Sequence, residues 1–169
     1  MLKVEKIGGT SMTQFGDVLN NIILNVKNGD YYNRIFVVSA YGGITNKLLE
    51  HKKTGQAGIY ALFANSIGGD EWRGALAELR REMHTINAEL YPEAELLAQA
   101  NAFIDERLDD TEKCLNDLGN LCSHGHFALN AHLATVREML ASLGEAHSAF
   151  NMAKLLTRDG VNAVFVDLT

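Results

Sequence analysis

Lys6, Gly8, Gly9, Thr10 and Ser11 stand together in the stretch KIGGTS, directly after a short apolar run. Glycines let a backbone come close to a ligand, and successive free N–H groups form a concave nest for an anion. Lys6, just ahead of them, can set an ammonium beside the same anion, and Thr10 and Ser11 add neutral donors. The order is not that of a Walker A loop, where the lysine follows the glycines, nor that of a dinucleotide-binding G-x-G-x-x-G. A plain strand-to-helix turn accounts for these residues as well, because Gly and Ser are ordinary turn formers.

Two further stretches extend this chemistry. SAYGGITN (39–46) repeats the construction of strand, small residue, glycine pair, hydroxyl and helix, with Ser39 and Thr45 as its hydroxyls. Ligands of open parallel sheets bind at the carboxyl ends of the strands, so two such turns on successive strands would face one crevice. The bland alternative is that both are only turns. In SLGEAHSA (142–149), Glu145 is expected at or near a helix start, where the helix dipole favours the ionised carboxylate. It could bind a substrate ammonium there, or serve only as a first-turn acid.

The elements that must position these residues read as α/β. LKVEKI (2–7) alternates as a strand does, with Leu2, Val4 and Lys6 on one face. Phe15, Val18, Leu19, Ile22, Ile23 and Val26 form a helical stripe that NGD (28–30) ends. RIFVVS (34–39) is a continuous apolar run, the mark of a strand covered on both faces, and a helix follows from about Ile44 with Leu48 and Leu49. Strand, helix, strand, glycine turn and helix begin a parallel sheet.

The middle of the chain is different. Trp72, Leu76, Leu79, Met83, Ile86 and Leu90 recur in alternating steps of four and three until Pro92, and Leu97, Ala100, Ile104, Leu108, Thr111, Leu115 and Leu118 continue the pattern. The spacing predicts an antiparallel helical hairpin at about 70–119, serving as packing or, more sharply, as a lid or subunit contact. Leu129, Leu133, Val136 and Leu140 predict a helix up to SLGE, and a last helix runs from about Glu145 to Asp159, with Gly160 as its stop. AVFVDLT (163–169) then reads as another buried strand. No helix follows to cover it, so the chain is expected to be part of a longer protein.

At 169 residues, length alone suggests one domain with a sizeable core. An apolar fraction of 47%, a charged fraction of 21% and a single proline describe a globular chain, not a disordered one. The net charge of −6 argues against nucleic acid, which needs a basic stripe. No apolar stretch is long enough to cross a bilayer and no signal-peptide core is present, so no membrane partner is expected. Cys114 and Cys122 make no disulfide framework, and a reduced, cytoplasmic setting is the default. Cys114, Cys122, His124 and His126 match no zinc spacing, and no metal ligand is assigned. His147 reads as a polar helix-surface histidine, and Lys52 and Lys53 as a solvated helix end.

In order and spacing, KIGGTS, VVSAYGGITN and SLGEAHSAFNMAKLL…GVNAVFVD resemble the amino-terminal part of the aspartokinases. The likeness covers nearly the whole chain apart from the helical hairpin. Most members carry Phe where this chain has Ile7; that variant, with EHKKTG (50–55), looks more like the aspartokinases of ectoine synthesis. The resemblance implies the amino acid kinase fold, a three-layer αβα sandwich around a mainly parallel sheet, here truncated. It implies transfer of the ATP γ-phosphoryl to the side-chain carboxylate of L-aspartate, with Mg²⁺, in a full-length protein that is a homo-oligomer. Lys6 matches the lysine that neutralises the transferring phosphoryl. Gly8, Gly9 and Ser11 match the phosphate loop, and Ser39 the junction of phosphate and aspartate sites. Thr45 and Glu145 match aspartate-binding positions, Glu145 pairing the substrate amino group.

That chemistry needs no general base, since a carboxylate is already nucleophilic; it needs alignment and compensation of charge on the phosphoryl oxygens. The family's later Arg-Gly-Gly-Ser-Asp stretch, most of its nucleotide pocket and its ACT domains have no counterpart in this chain, so the fragment by itself is expected to be inactive. Two rivals stay open: another amino acid kinase acting on a different carboxylate or a carbamate, and a non-catalytic module assembling through its hairpin.

Overall fold

Alternation in LKVEKI does produce a strand, β1 (Lys3–Ile7), and the apolar run at RIFVV a second, β2 (Arg34–Val38). These assignments come from a computed structural model that describes residues 1–25, 32–65 and 69–168. The two strands pair in parallel, in a register running from Lys3 opposite Arg34 to Ile7 opposite Val38. A parallel pair needs a crossover. Here it contains α1 (Gly9–Thr13), α2 (Phe15–Val18) and a π-helical turn (Leu19–Ile23). Met12, Phe15, Val18, Leu19 and Ile23 are its buried residues, as the stripe requires. Val26, the side chain of Ile22 and the NGD stop lie outside the described residues.

Arg34 locks this layer together. Its Nε and Nη2 donate to the Glu5 carboxylate at 2.7 and 2.8 Å, and its Nη1 donates to the Ile23 carbonyl at 3.1 Å. A two-pronged guanidinium–carboxylate contact fixes geometry as well as charge. The Arg34 hydrogen bonds hold the Glu5 carboxyl below the usual range.

Three expectations from the sequence require correction. Cover on both faces of RIFVVS is not found: Ile35 and Val37, with Val4 beside them, are exposed, and only the other side of the sheet is covered among the described residues. Nor is AVFVD a buried strand. Residues 161–168 have no ladder partner among the described residues, Val164 and Val166 are exposed, and the Phe165 ring meets that of Phe150 at 5.8 Å. A strand exists through its neighbour's N–H and C=O groups, and among the described residues the sheet has only β1 and β2. Finally, the two helices expected on either side of Glu145 are one, α7 (Leu133–Arg158). The single Gly144 costs about 1 kcal/mol as a helix residue, too little to break a run of Leu, Glu and Ala around it. The stop at Gly160 does hold: its φ is +85°, and its N–H and that of Val161 close back on the Thr157 and Leu156 carbonyls.

The chain divides into two compact units, residues 1–42 with 144–169, and residues 43–143. The first contains the sheet, its crossover and the carboxyl-terminal part of α7. The second contains α3 (Ile44–Leu48), α4 (Ile59–Asn65), α5 (Glu71–Leu90), α6 (Ala94–Ser123), a 3₁₀ turn (Leu129–Ala131) and the start of α7. The helix α4 was not anticipated from the sequence, and Lys52 and Lys53 lie in an exposed turn after α3, not in a helix end. In α5 and α6, Trp72, Leu76, Leu79, Met83, Ala100, Ile104, Leu108 and Leu115 are buried. Their polar edges pair in opposite senses, Asn87 with Asn101, His84 and Arg80 with Asp105, and Arg73 with Asn116, so the two helices run antiparallel. Tyr91, extended before Pro92, ends α5 as the residue before a proline tends to. Lys47 of α3 reaches Glu78 at 3.6 Å and also pairs with Glu82, which ties α3 to α5.

Candidate functional site

The two glycine turns are joined backbone to backbone. The Ser39 N–H donates to the Ile7 carbonyl at 3.0 Å, continuing the ladder past both strand ends. A Cβ on Gly9 would lie 3.2 Å from the Ala40 carbonyl oxygen and 3.9 Å from Ser39 Cβ. Glycine at this position therefore lets the first turn press against the second. The Gly42 N–H donates to Thr13 Oγ1 at 3.1 Å, and a Cβ on Gly42 would come within 2.5 Å of that oxygen.

The third element is the middle of α7. Glu145 therefore gains nothing from a helix N-terminus, and the helix dipole does not favour its ionisation there. Its carboxyl is half-buried, and burial, the larger effect, raises its pKa; hydrogen bonds from its own N–H and the Ala40 N–H partly offset this. Oxygen Oε2 is buried and has no hydrogen-bond partner among the described residues. A buried carboxylate oxygen without a donor is costly, and an incoming cation would satisfy it.

Four further residues cluster near Glu145 in the chain or through one another, and the sequence did not single them out as a group: Tyr41, His147, Ser148 and Asn151. His147 is fully buried, not a surface residue, and meets the Tyr41 ring edge to face at 5.3 Å. Ser148 Oγ, also fully buried, lies 2.8 Å from the Ser39 carbonyl and 3.0 Å from that of Glu145. Burial pushes the Tyr41 phenol far above its ordinary range, with the Asn151 side chain opposing in part, so the ring is neutral. A signal was present: His147 and Ser148 lie one helical turn before Asn151, on the face that also buries Met152 and Leu155. Polar residues on a core-facing stripe are held there by partners.

Of the residues expected to act together, Lys6, Gly8, Gly9, Ser11, Ser39 and Glu145 belong to the first unit. The Ser39–Ala40 stretch touches both the backbone of Gly9 and the carboxylate of Glu145. Lys6 is exposed on β1, one residue before the turn, and Ser11 is exposed on α1. Thr45 stands in the second unit, half-buried on α3. No group of three or more His, Cys, Asp or Glu side chains gathers among the described residues; Cys122 is buried, while Cys114, His124 and His126 are exposed. No helix among the described residues is long and apolar enough to cross a membrane.

With this geometry in place, comparison with known proteins is direct. The pattern of the amino acid kinase family matches residues 1–169. The chain belongs to the amino acid kinase family. It is 54% identical over 170 residues to aspartate kinase Ask_Ect of Stutzerimonas stutzeri (strain A1501). That alignment covers the whole of this chain and 36% of the relative, so the chain spans about a third of that kinase's length. No solved structure matches. In this member of the amino acid kinase family, parallel strands ending in paired glycine turns are the part of the sheet that the described residues display.

Proposed function

We propose that this chain is the amino-terminal, aspartate-binding part of an aspartokinase, which transfers the γ-phosphoryl of ATP to the side-chain carboxylate of L-aspartate and yields 4-phospho-L-aspartate. The observation that carries the reading is that the Ser39–Ala40 stretch lies against Gly9 on one side and reaches the Glu145 carboxylate, whose Oε2 has no partner among the described residues, on the other. The 54% identity to a protein named as an aspartate kinase supports the choice of substrate.

In this reading the Gly8 and Gly9 amides, with Ser11 and Ser39, hold phosphate oxygens, and Lys6 neutralises the phosphoryl in transit. Glu145 takes the substrate ammonium on Oε2, and Ser39 and Thr45 complete the aspartate contacts. Fixing the ammonium at Glu145 decides which end of aspartate faces ATP, and alignment is most of what this reaction needs from a protein. A carboxylate nucleophile requires no general base.

Magnesium binds few protein carboxylates and prefers nucleotide phosphates. It would compensate charge on those phosphates. The hairpin α5–α6 forms an insertion at about 70–119, and the remaining kinase segments and any ACT domains belong to the longer protein. Ile7 and residues 50–55 favour the ectoine-pathway type. A cytoplasmic homo-oligomer completes the proposal.

The test uses the full-length protein with ATP, Mg²⁺ and L-aspartate, trapping the acyl phosphate with hydroxylamine. Aspartate-dependent hydroxamate, absent with glutamate, acetate or carbamate, is the expected result. Turnover with one of those acceptors and none with aspartate would overturn the assignment.

A further inference from the structure

Thr13 lies outside the KIGGTS stretch, yet its hydroxyl is where the two glycine turns are tied together. Thr13 Oγ1 donates to the Gly9 carbonyl at 3.2 Å and accepts the Gly42 N–H at 3.1 Å. A threonine in a helix often bonds back to the carbonyl four residues earlier, so the first contact alone is local. The second is not local, for Gly42 belongs to the other turn, twenty-nine residues on. One hydroxyl thus uses its single proton on the first turn and a lone pair on the second. The missing side chain of Gly42 makes room for it, because a Cβ there would lie 2.5 Å from Oγ1. The β-branched side chain has few χ1 choices, so the oxygen is held in place at little further entropic cost.

We propose that Thr13 is a positioning residue for phosphoryl transfer: its hydroxyl fixes the distance between the Gly8–Gly9 turn and the Ser39–Gly42 turn. The proposal rests on the kinase reading above. Thr13 touches neither phosphate nor aspartate in that reading; it acts through the backbone amides that do. Misplacing reacting groups by an ångström can cost on the order of a hundredfold in rate. Both Thr13 bonds are solvent-exposed, so partial replacement by water reduces the expected loss to roughly tenfold.

The experiment compares Thr13→Val, which keeps the shape and removes the hydroxyl, with Thr13→Ser, which keeps the hydroxyl, in the full-length enzyme. Thr13→Val is expected to lower kcat about tenfold while KM for aspartate changes less than about threefold, and Thr13→Ser to recover kcat to within about twofold. Amide hydrogen exchange at Gly42 supplies a readout independent of activity: it should accelerate at least fivefold in Thr13→Val, roughly, and stay near wild type in Thr13→Ser. A Thr13→Val enzyme with kcat within twofold of wild type, unchanged Gly42 exchange, or no rescue by serine overturns the proposal. If the wild-type enzyme shows no aspartate-dependent turnover, the kinase reading and the catalytic role fall together, and Gly42 exchange still decides whether the hydroxyl ties the turns.

Discussion

Ser148→Ala removes one oxygen from a fully buried place on α7 and leaves the Ser39 carbonyl, 2.8 Å away, without that donor. The void is too small to matter beside the lost bond. A buried carbonyl deprived of its partner costs about 1–3 kcal/mol, against roughly 0.5–1.5 kcal/mol for an ordinary hydrogen bond whose partner can be rehydrated. For a chain of this size about 1–2 kcal/mol lowers the melting temperature by roughly 2–8 °C. In urea the midpoint should fall by roughly 0.5–1 M with an unchanged slope. Ser123→Ala is the matched control: the same hydroxyl, donating to the Asn120 carbonyl at 2.7 Å, but exposed at the end of α6. It should change stability by no more than about 0.5 kcal/mol. Because Ser39 carries the second turn, Ser148→Ala should also raise KM for aspartate in the full-length enzyme. Equal, small effects from the two serine variants would refute the reasoning from burial.

Three other outcomes follow from particular contacts. Gly58→Ala would place a Cβ 2.5–2.7 Å from the Lys47, Asn46 and Leu49 carbonyl oxygens at the end of α3, and overpacking of this kind costs about 1–3 kcal/mol, read by urea unfolding. Glu145 has a raised carboxyl pKa, so the folded state binds the proton more tightly than the unfolded chain, and its charge opposes folding as pH rises through the raised value. Glu145→Gln should therefore equal or exceed wild-type stability at pH 7 and lose that advantage near pH 4, while aspartate-dependent turnover disappears. Glu5 has the opposite sign: its lowered pKa adds stability above the ordinary carboxylate range that is lost as pH falls through the lowered value. Glu5→Gln should cost about 1–2 kcal/mol at pH 7 and progressively less toward acid, measured as the difference in urea midpoint at each pH.

The strands, the crossover and the two long helices were legible because they depend on local signals: alternation, helical period, and proline and glycine stops. The glycine turns were legible for the same reason, since a side chain on Gly9 would crowd the Ala40 carbonyl at 3.2 Å. What the sequence hid depends on what each segment lies against. Residues 163–168 have strand composition but no ladder partner among the described residues, and RIFVV has apolar residues on a face that is exposed. Gly144 looked like a helix boundary and is not one, which moved Glu145 from a helix start to the middle of α7. His147 reads from the sequence as a polar helix-surface residue; it is fully buried, and its ring meets that of Tyr41, more than a hundred residues away in the chain. Thr13 carried no motif at all, because its bond to Gly42 exists only once the two turns are side by side.

The measurement that tests the central claim most directly is a crystal structure of the full-length protein with L-aspartate bound. The account predicts the substrate ammonium within hydrogen-bond distance of Glu145 Oε2, with the side-chain carboxylate directed toward the turn at Gly8 and Gly9. Aspartate bound elsewhere, or with its ammonium turned away from Glu145, would contradict it.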